Sequence, residues 1–121
     1  MTRRPFFLAI ALLLVLAGCS KPVPPDKFHY VGEWKAPGMY LVITQDGSVQ
    51  YERIKGGAKT TVTGPIQKYE GDDFSVGIGF LSTTFVVSRP PYQVSGVWKM
   101  VVDGVELTKV GGLAIAIKWN A

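Results

Sequence analysis

The chain has 121 residues, with 13 Lys and Arg against 9 Asp and Glu, one Cys and one His. That length supports a single domain, the lone Cys excludes an internal disulfide, and the lone His argues against zinc sites and Ser–His–Asp triads. Arg3 and Arg4 are the only charges in the first 18 residues, so residues 19–121 carry 11 − 9 = +2, too mild a balance for a nucleic-acid surface.

Met1–Arg4 forms a short basic segment, and Phe6–Val15 is an apolar run of ten residues. A membrane-spanning helix needs about 20 apolar residues, so this pattern predicts a signal helix that is processed rather than a span. The run ends in Leu16-Ala17-Gly18-Cys19, which resembles the lipobox of bacterial lipoproteins. The resemblance implies a lipid (palmitate-type acyl chains) on the Cys19 thiol and cleavage on its N-terminal side. Leu16, Ala17 and Gly18 would then be read by the signal peptidase, and Cys19 would be the first mature residue. Two or more acyl chains anchor stably where one does not. Ser20 stands where an Asp favours inner-membrane retention in enteric-type lipoproteins, so the resemblance implies the periplasmic face of the outer membrane. Thr2-Arg3-Arg4-Pro5-Phe6-Phe7 is also similar to a twin-arginine export motif. The apolar run after it is greasier than such signals carry, and an ordinary Sec signal is the expectation.

Lys21–Lys27 holds three prolines in seven residues, a semi-extended tether with a reach on the order of 20 Å. The expected division is therefore 1–18 signal peptide, 19–27 lipidated Cys and tether, and 28–121 an all-β domain. No segment after Phe28 sustains a helical period. Short β-branched and aromatic runs are separated by turn pairs at the spacing of small all-β domains.

In chain order, a short start at Tyr30–Trp34 precedes Met39–Thr44, then Asp46-Gly47 predicts a type I′ hairpin turn with positive φ at both centres. Val49–Ile54 returns to Gly56-Gly57. Thr60–Thr63 and Ile66–Tyr69 follow, interrupted at Gly64-Pro65, where a Pro permits an edge or a bulge. After the turn at Glu70–Asp73, Phe74–Phe80 alternates Phe74, Val76, Ile78 and Phe80 with Ser75, Gly77 and Gly79. Bare glycines on one face of a strand predict a tight bend or a large neighbour. Thr83–Ser88 ends at Arg89-Pro90-Pro91, read as a crossover loop. Val97–Val102 and Val105–Lys109 flank a second Asp-Gly turn, and Leu113–Trp119 alternates as a closing strand. Eight or nine strands result, an antiparallel meander closing as a small β-barrel or curved sandwich.

Gly32-Glu33-Trp34 at the start of this meander resembles the Gly-x-Trp of lipocalin-like barrels, in which the Trp plugs one end. That resemblance implies a small cavity for an apolar ligand. Trp98–Thr108 is similar to small proteobacterial lipoproteins without assigned activity.

His29 sits beside the tether without an orienting carboxylate and a nucleophile, and reads as a solvated linker residue. Cys and His never cluster with metal-ligand spacing, and Asp72-Asp73 reads as an acidic turn rather than a calcium loop. Gly77-x-Gly79 lacks the third glycine and the helix of a phosphate loop. No catalytic residues, metal or cofactor beyond the covalent lipid are expected. Aromatics are spread over nearly every strand, most of them core. Trp34, Arg89, Tyr92 and Trp98 are the candidate binding residues, because a proline-stiffened Arg89-Pro90-Pro91-Tyr92 presents two contact side chains at low entropy cost. The leading functional expectation is a non-enzymatic, lipid-anchored interaction module for an envelope protein or polymer. A carrier of a small apolar ligand is the alternative, and an inhibitor of wall-degrading enzymes ranks last.

Overall fold

The computed structural model describes residues 21–111; the signal segment, Cys19 and the expected strand at 113–119 lie outside them. A 3-10 turn at Pro25–Tyr30 leads into nine strands: β1 (Gly32–Ala36), β2 (Met39–Ile43), β3 (Ser48–Lys55), β4 (Ala58–Glu70), β5 (Asp73–Ile78), β6 (Leu81–Phe85), β7 (Val87–Val94), β8 (Val97–Val102) and β9 (Val105–Gly111). All pair antiparallel in one sheet, in the order β6-β5-β4-β3-β2-β1-β9-β8-β7. The chain is therefore an all-β meander that curls into a half-barrel. Its closure comes from β9, which returns to β1 with Trp34 opposite Lys109 and Lys35 opposite Thr108. The seam lies between β6 and β7, which follow one another in the chain but are the two edges of the sheet among the described residues.

Period-two patterning puts one face of each strand inside. Met39, Leu41 and Ile43 of β2, Val49 and Tyr51 of β3, Phe74 and Val76 of β5, and Met100 and Val102 of β8 join Trp34 and Leu107 in one buried cluster. Its middle is filled by rings: Phe74 stacks on Phe85 at 5.1 Å, and Tyr51 meets Phe85 edge-on at 4.8 Å.

Several expectations are corrected. The Asp46-Gly47 turn is wider than two residues: only Gly47 has positive φ, the Gly47 amide bonds Thr44 O, and the Thr44 amide bonds Ser48 O. The Thr44 hydroxyl also pairs with the Asp46 carboxylate. Gly64-Pro65 does not interrupt the third run, because β4 is a single strand of 13 residues. It changes partner there, from β3 (Ser48 opposite Pro65) to β5 (Ile66 opposite Val76), so the missing proline N–H falls at the handover.

Phe74–Phe80 is not one strand. It turns at Gly79-Phe80, with Ile78 opposite Leu81, and Phe80 is on the outside rather than in the core. Arg89-Pro90-Pro91-Tyr92 is not a loop but part of β7, an edge where a residue without N–H is tolerated. The register slips on both sides of Arg89. A further hairpin at Ser95-Gly96 joins β7 to β8, both turn residues having positive φ, so nine strands form without the tail.

The tether is also shorter than its composition implies. The Val23 amide bonds Gln45 O at 3.0 Å, and the Val23 side chain packs on the core. Lys27 Nζ reaches Gly71 O at 2.7 Å, and the Tyr30 hydroxyl donates to Asp72 O at 2.8 Å. From Val23 onward the chain is bonded to the body.

Candidate interaction surface

The four candidate binding residues separate into two clusters. Trp34 is 0% exposed, so it packs inside the half-barrel rather than on its outer surface. Its indole Nε1 donates to Tyr30 O at 2.9 Å, which holds the 3-10 turn over the start of the barrel. Lys109 of β9 lies with its Nζ 4.8 Å from the Trp34 ring centre and 5.6 Å from that of Trp98, and donates to His29 O at 2.9 Å. Burial pushes the Lys109 pKa down, while the two ring faces attract the cation. His29 is exposed to solvent, as expected, but it is not free of the body, since its imidazole stacks on Trp98 at 4.3 Å. Trp98 is half-buried beneath that stack. Trp34, Trp98, Lys109 and His29 therefore form a clasp between the 3-10 turn and the closing strand.

Arg89 and Tyr92 meet on the outer side of β7. The guanidinium stacks on the Tyr92 ring at 3.6 Å, and the Tyr92 hydroxyl donates to Glu106 Oε2 at 2.9 Å. Lys99 Nζ lies 3.5 Å from Glu106. The Tyr92 hydrogen bond, aided by the Lys99 charge, lowers the Glu106 pKa. Arg89 and Tyr92 thus spend their recognition chemistry on each other and on β9.

A third cluster of tyrosines lies where the 3-10 turn meets the β4–β5 turn. Burial raises Tyr30 well above its ordinary value, with Asp72 adding to the effect, and Tyr69 is pushed up to about 12 by burial, then by Asp26. Burial, then a hydrogen bond to Glu33, also pushes Tyr40 up to about 12. These shifts accompany packing against the domain, not a reactive constellation. Among the described residues no three His, Cys, Asp or Glu side chains converge in a metal-binding group, and no helix is long and apolar enough to cross a membrane.

The most distinctive surface is the β5–β6 hairpin tip. Ile78 is 65% exposed, Phe80 93% and Leu81 71%, three large apolar residues within four positions around Gly79. Exposed apolar residues scattered singly are ordinary, but a contiguous group marks a contact site. The turn geometry points the group outward. Gly79 has φ 63° and Phe80 does not have positive φ, the type II′ pattern that fits a two-residue hairpin. Gln67 Nε2 donates to Gly79 O at 2.6 Å. At Gly77 (φ 146°) a Cβ would stand 2.0 Å from Leu81 O, so only glycine permits the close approach that brings the returning strand in.

Beneath the tip is a cleft of about 400 Å³ between β4 and β6, lined by Thr61, Val62, Thr63, Leu81, Ser82 and Thr83 among others. An apolar tip over a band of hydroxyls can bury against an apolar phase while its base keeps polar partners. The Gly79-Phe80 turn is the candidate feature that the strand pattern concealed. Its signal was a Gly at the first centre of a two-residue turn between β-formers. No protein family, curated protein or solved structure matches the chain.

Proposed function

We propose that this chain is a lipid-anchored protein of the bacterial cell envelope whose all-β body acts by binding, without catalysis, through the β5–β6 hairpin tip. The carrying observation is the contiguous exposure of Ile78, Phe80 and Leu81 on a turn fixed by Gly77, Gly79 and Gln67. Apolar side chains presented on an already formed hairpin need no backbone reordering to dock. The anchor rests on the Leu16-Ala17-Gly18-Cys19 motif, and Ser20 favours the outer membrane, facing the periplasm. The rings of Phe74, Phe85 and Tyr51 in the middle of the half-barrel favour contact on the outside over carriage of a small apolar ligand within it.

The test is a photo-crosslinking residue placed at Phe80 in cells, in the full chain. A reproducible adduct with an envelope component, absent when the same residue replaces Ile54, is the expected result. Equal or absent labelling at the two positions would withdraw the reading. A Cys19→Ala variant is expected to leave the membrane fraction or to stall before processing, and unchanged fractionation would remove the anchor from it.

A further inference from the structure

We infer that the β5–β6 hairpin tip is seated in the interfacial layer of the bilayer that carries the lipid anchor, so that the body is held in one orientation on the membrane. This deepens the proposed function and rests on Cys19 being the anchor. Lys21 is two positions after Cys19, with Ser20 between them, at most about 7 Å of chain. Lys21 is already against the body: its carbonyl oxygen lies 1.9 Å from where a Cβ on Gly47 would stand. With Val23 bonded to Gln45, an anchor on Cys19 brings the bilayer surface to the Gln45–Gly47 loop and leaves no long spacer.

The hairpin springs from beside that loop. Gly47 O accepts from the Ile66 amide at 2.7 Å, and Ile66 pairs with Val76 on β5. Gly77, the next residue, lies beside Gly64, which pairs with Val49. Two strand spacings, about 10 Å, thus separate the anchored loop from Val76 at the base of the hairpin, and Ile78–Leu81 run on from there past Thr63 toward Thr61. The chemistry also fits a bilayer surface. Surface-lying segments bury apolar side chains roughly 5–10 Å into the headgroup and acyl boundary, with polar groups above them. Phe80, Ile78 and Leu81 supply the buried part, and Thr61, Thr63, Ser82 and Thr83 supply hydroxyls at headgroup depth.

The acyl chains alone hold the protein on the membrane, so the tip determines orientation, which is what the test reads. Cys19 is the only cysteine and its thiol is consumed by the lipid. Phe80→Cys, Leu81→Cys and Ile54→Cys in the full lipidated protein therefore each give one free thiol for an environment-sensitive fluorophore. Leu81→Cys keeps Phe80 intact, and Ile54 is an exposed apolar control at the far end of β3 from Gly47. The labelled proteins are placed in phosphatidylethanolamine–phosphatidylglycerol vesicles containing lipids spin-labelled near the headgroup. Several-fold stronger quenching at positions 80 and 81 than at 54 is expected. Protein that floats with the vesicles but shows no quenching at 80 and 81, or equal quenching at all three, would overturn the inference while leaving the anchor intact. Protein that fails to float with the vesicles would overturn the anchor and the inference together.

Discussion

Lys109 shows how much of this fold rests on single side chains. It reaches three groups at once, the faces of Trp34 and Trp98 and the carbonyl of His29, and so ties the last described strand to the turn that precedes the first. Trp34 is the center of that clasp. Trp34→Ala removes a fully buried indole and its bond to Tyr30 O, and is expected to lower stability by about 3–5 kcal/mol in urea unfolding. A loss under about 1 kcal/mol would mean the clasp does not stabilise the fold.

The tyrosines make a pH prediction. Tyr30, Tyr40 and Tyr69 keep their protons to higher pH when folded, so above pH 10, the ordinary tyrosine value, the folded chain binds more protons than the unfolded one. Stability present below that pH is lost as pH rises toward 12, the folded value for Tyr40 and Tyr69. Lys109, shifted down, has the opposite sign and gains stability as pH rises toward its ordinary value of 10.5. Three tyrosines outweigh one lysine, so urea midpoints are expected to fall steadily above pH 10, and a flat profile would contradict the shifts. At this scale the sequence was half legible. Gly-x-Trp singled out Trp34, but nothing local marks Lys109, 75 positions further on, as its partner.

At the scale of elements, turn chemistry carried most of what could be read. Gly56-Gly57 and Asp103-Gly104 both have the double positive φ of a type I′ turn, and the strands around them stand where the β-former runs stand. Two hairpins were hidden for physical reasons. Gly79-Phe80 sits inside an unbroken alternation, so a turn and a strand share one pattern there. Arg89-Pro90-Pro91 reads as a break unless the strand is known to be an edge, and edge status belongs to the assembled sheet.

Gly77→Ala tests the first hairpin. With Leu81 O in the way, β6 must separate from β5. Amides of Ile78–Thr83 are expected to lose exchange protection while β1–β2 amides keep theirs, and unchanged protection would show that the approach is not tight. A carboxylate clamp governs the crossover into β7. Asp73 Oδ1 accepts from the Val87 amide at 2.8 Å, and Asp103 Oδ1 from the Val86 amide at 2.9 Å. Asp73→Ala is expected to cost about 1.5–3 kcal/mol in the same unfolding assay, the range for a hydrogen bond to a charged group. Both acids read as ordinary turn residues in the sequence, because their partners lie 14 and 17 positions away.

For the whole molecule, the meander and its barrel-like curl follow from strand count and hairpin order. The return of β9 to β1 and the seam between β6 and β7 do not, since closure depends on contacts across the full length of the domain. The two edges are guarded differently. β7 carries two prolines and Arg89, while β6 is only five residues long, both devices that discourage edge-to-edge pairing. The exposed apolar tip between β5 and β6 is the exception to that guarded surface.

The proposed membrane role depends most on a lipid anchor at Cys19, and the intact mass of the protein extracted from membranes under denaturing conditions tests it directly. Residues 19–121 plus the mass of two or more acyl chains, lost from the Cys19→Ala variant, is the result predicted. A chain beginning at another residue, or one beginning at Cys19 with a free thiol, would contradict it.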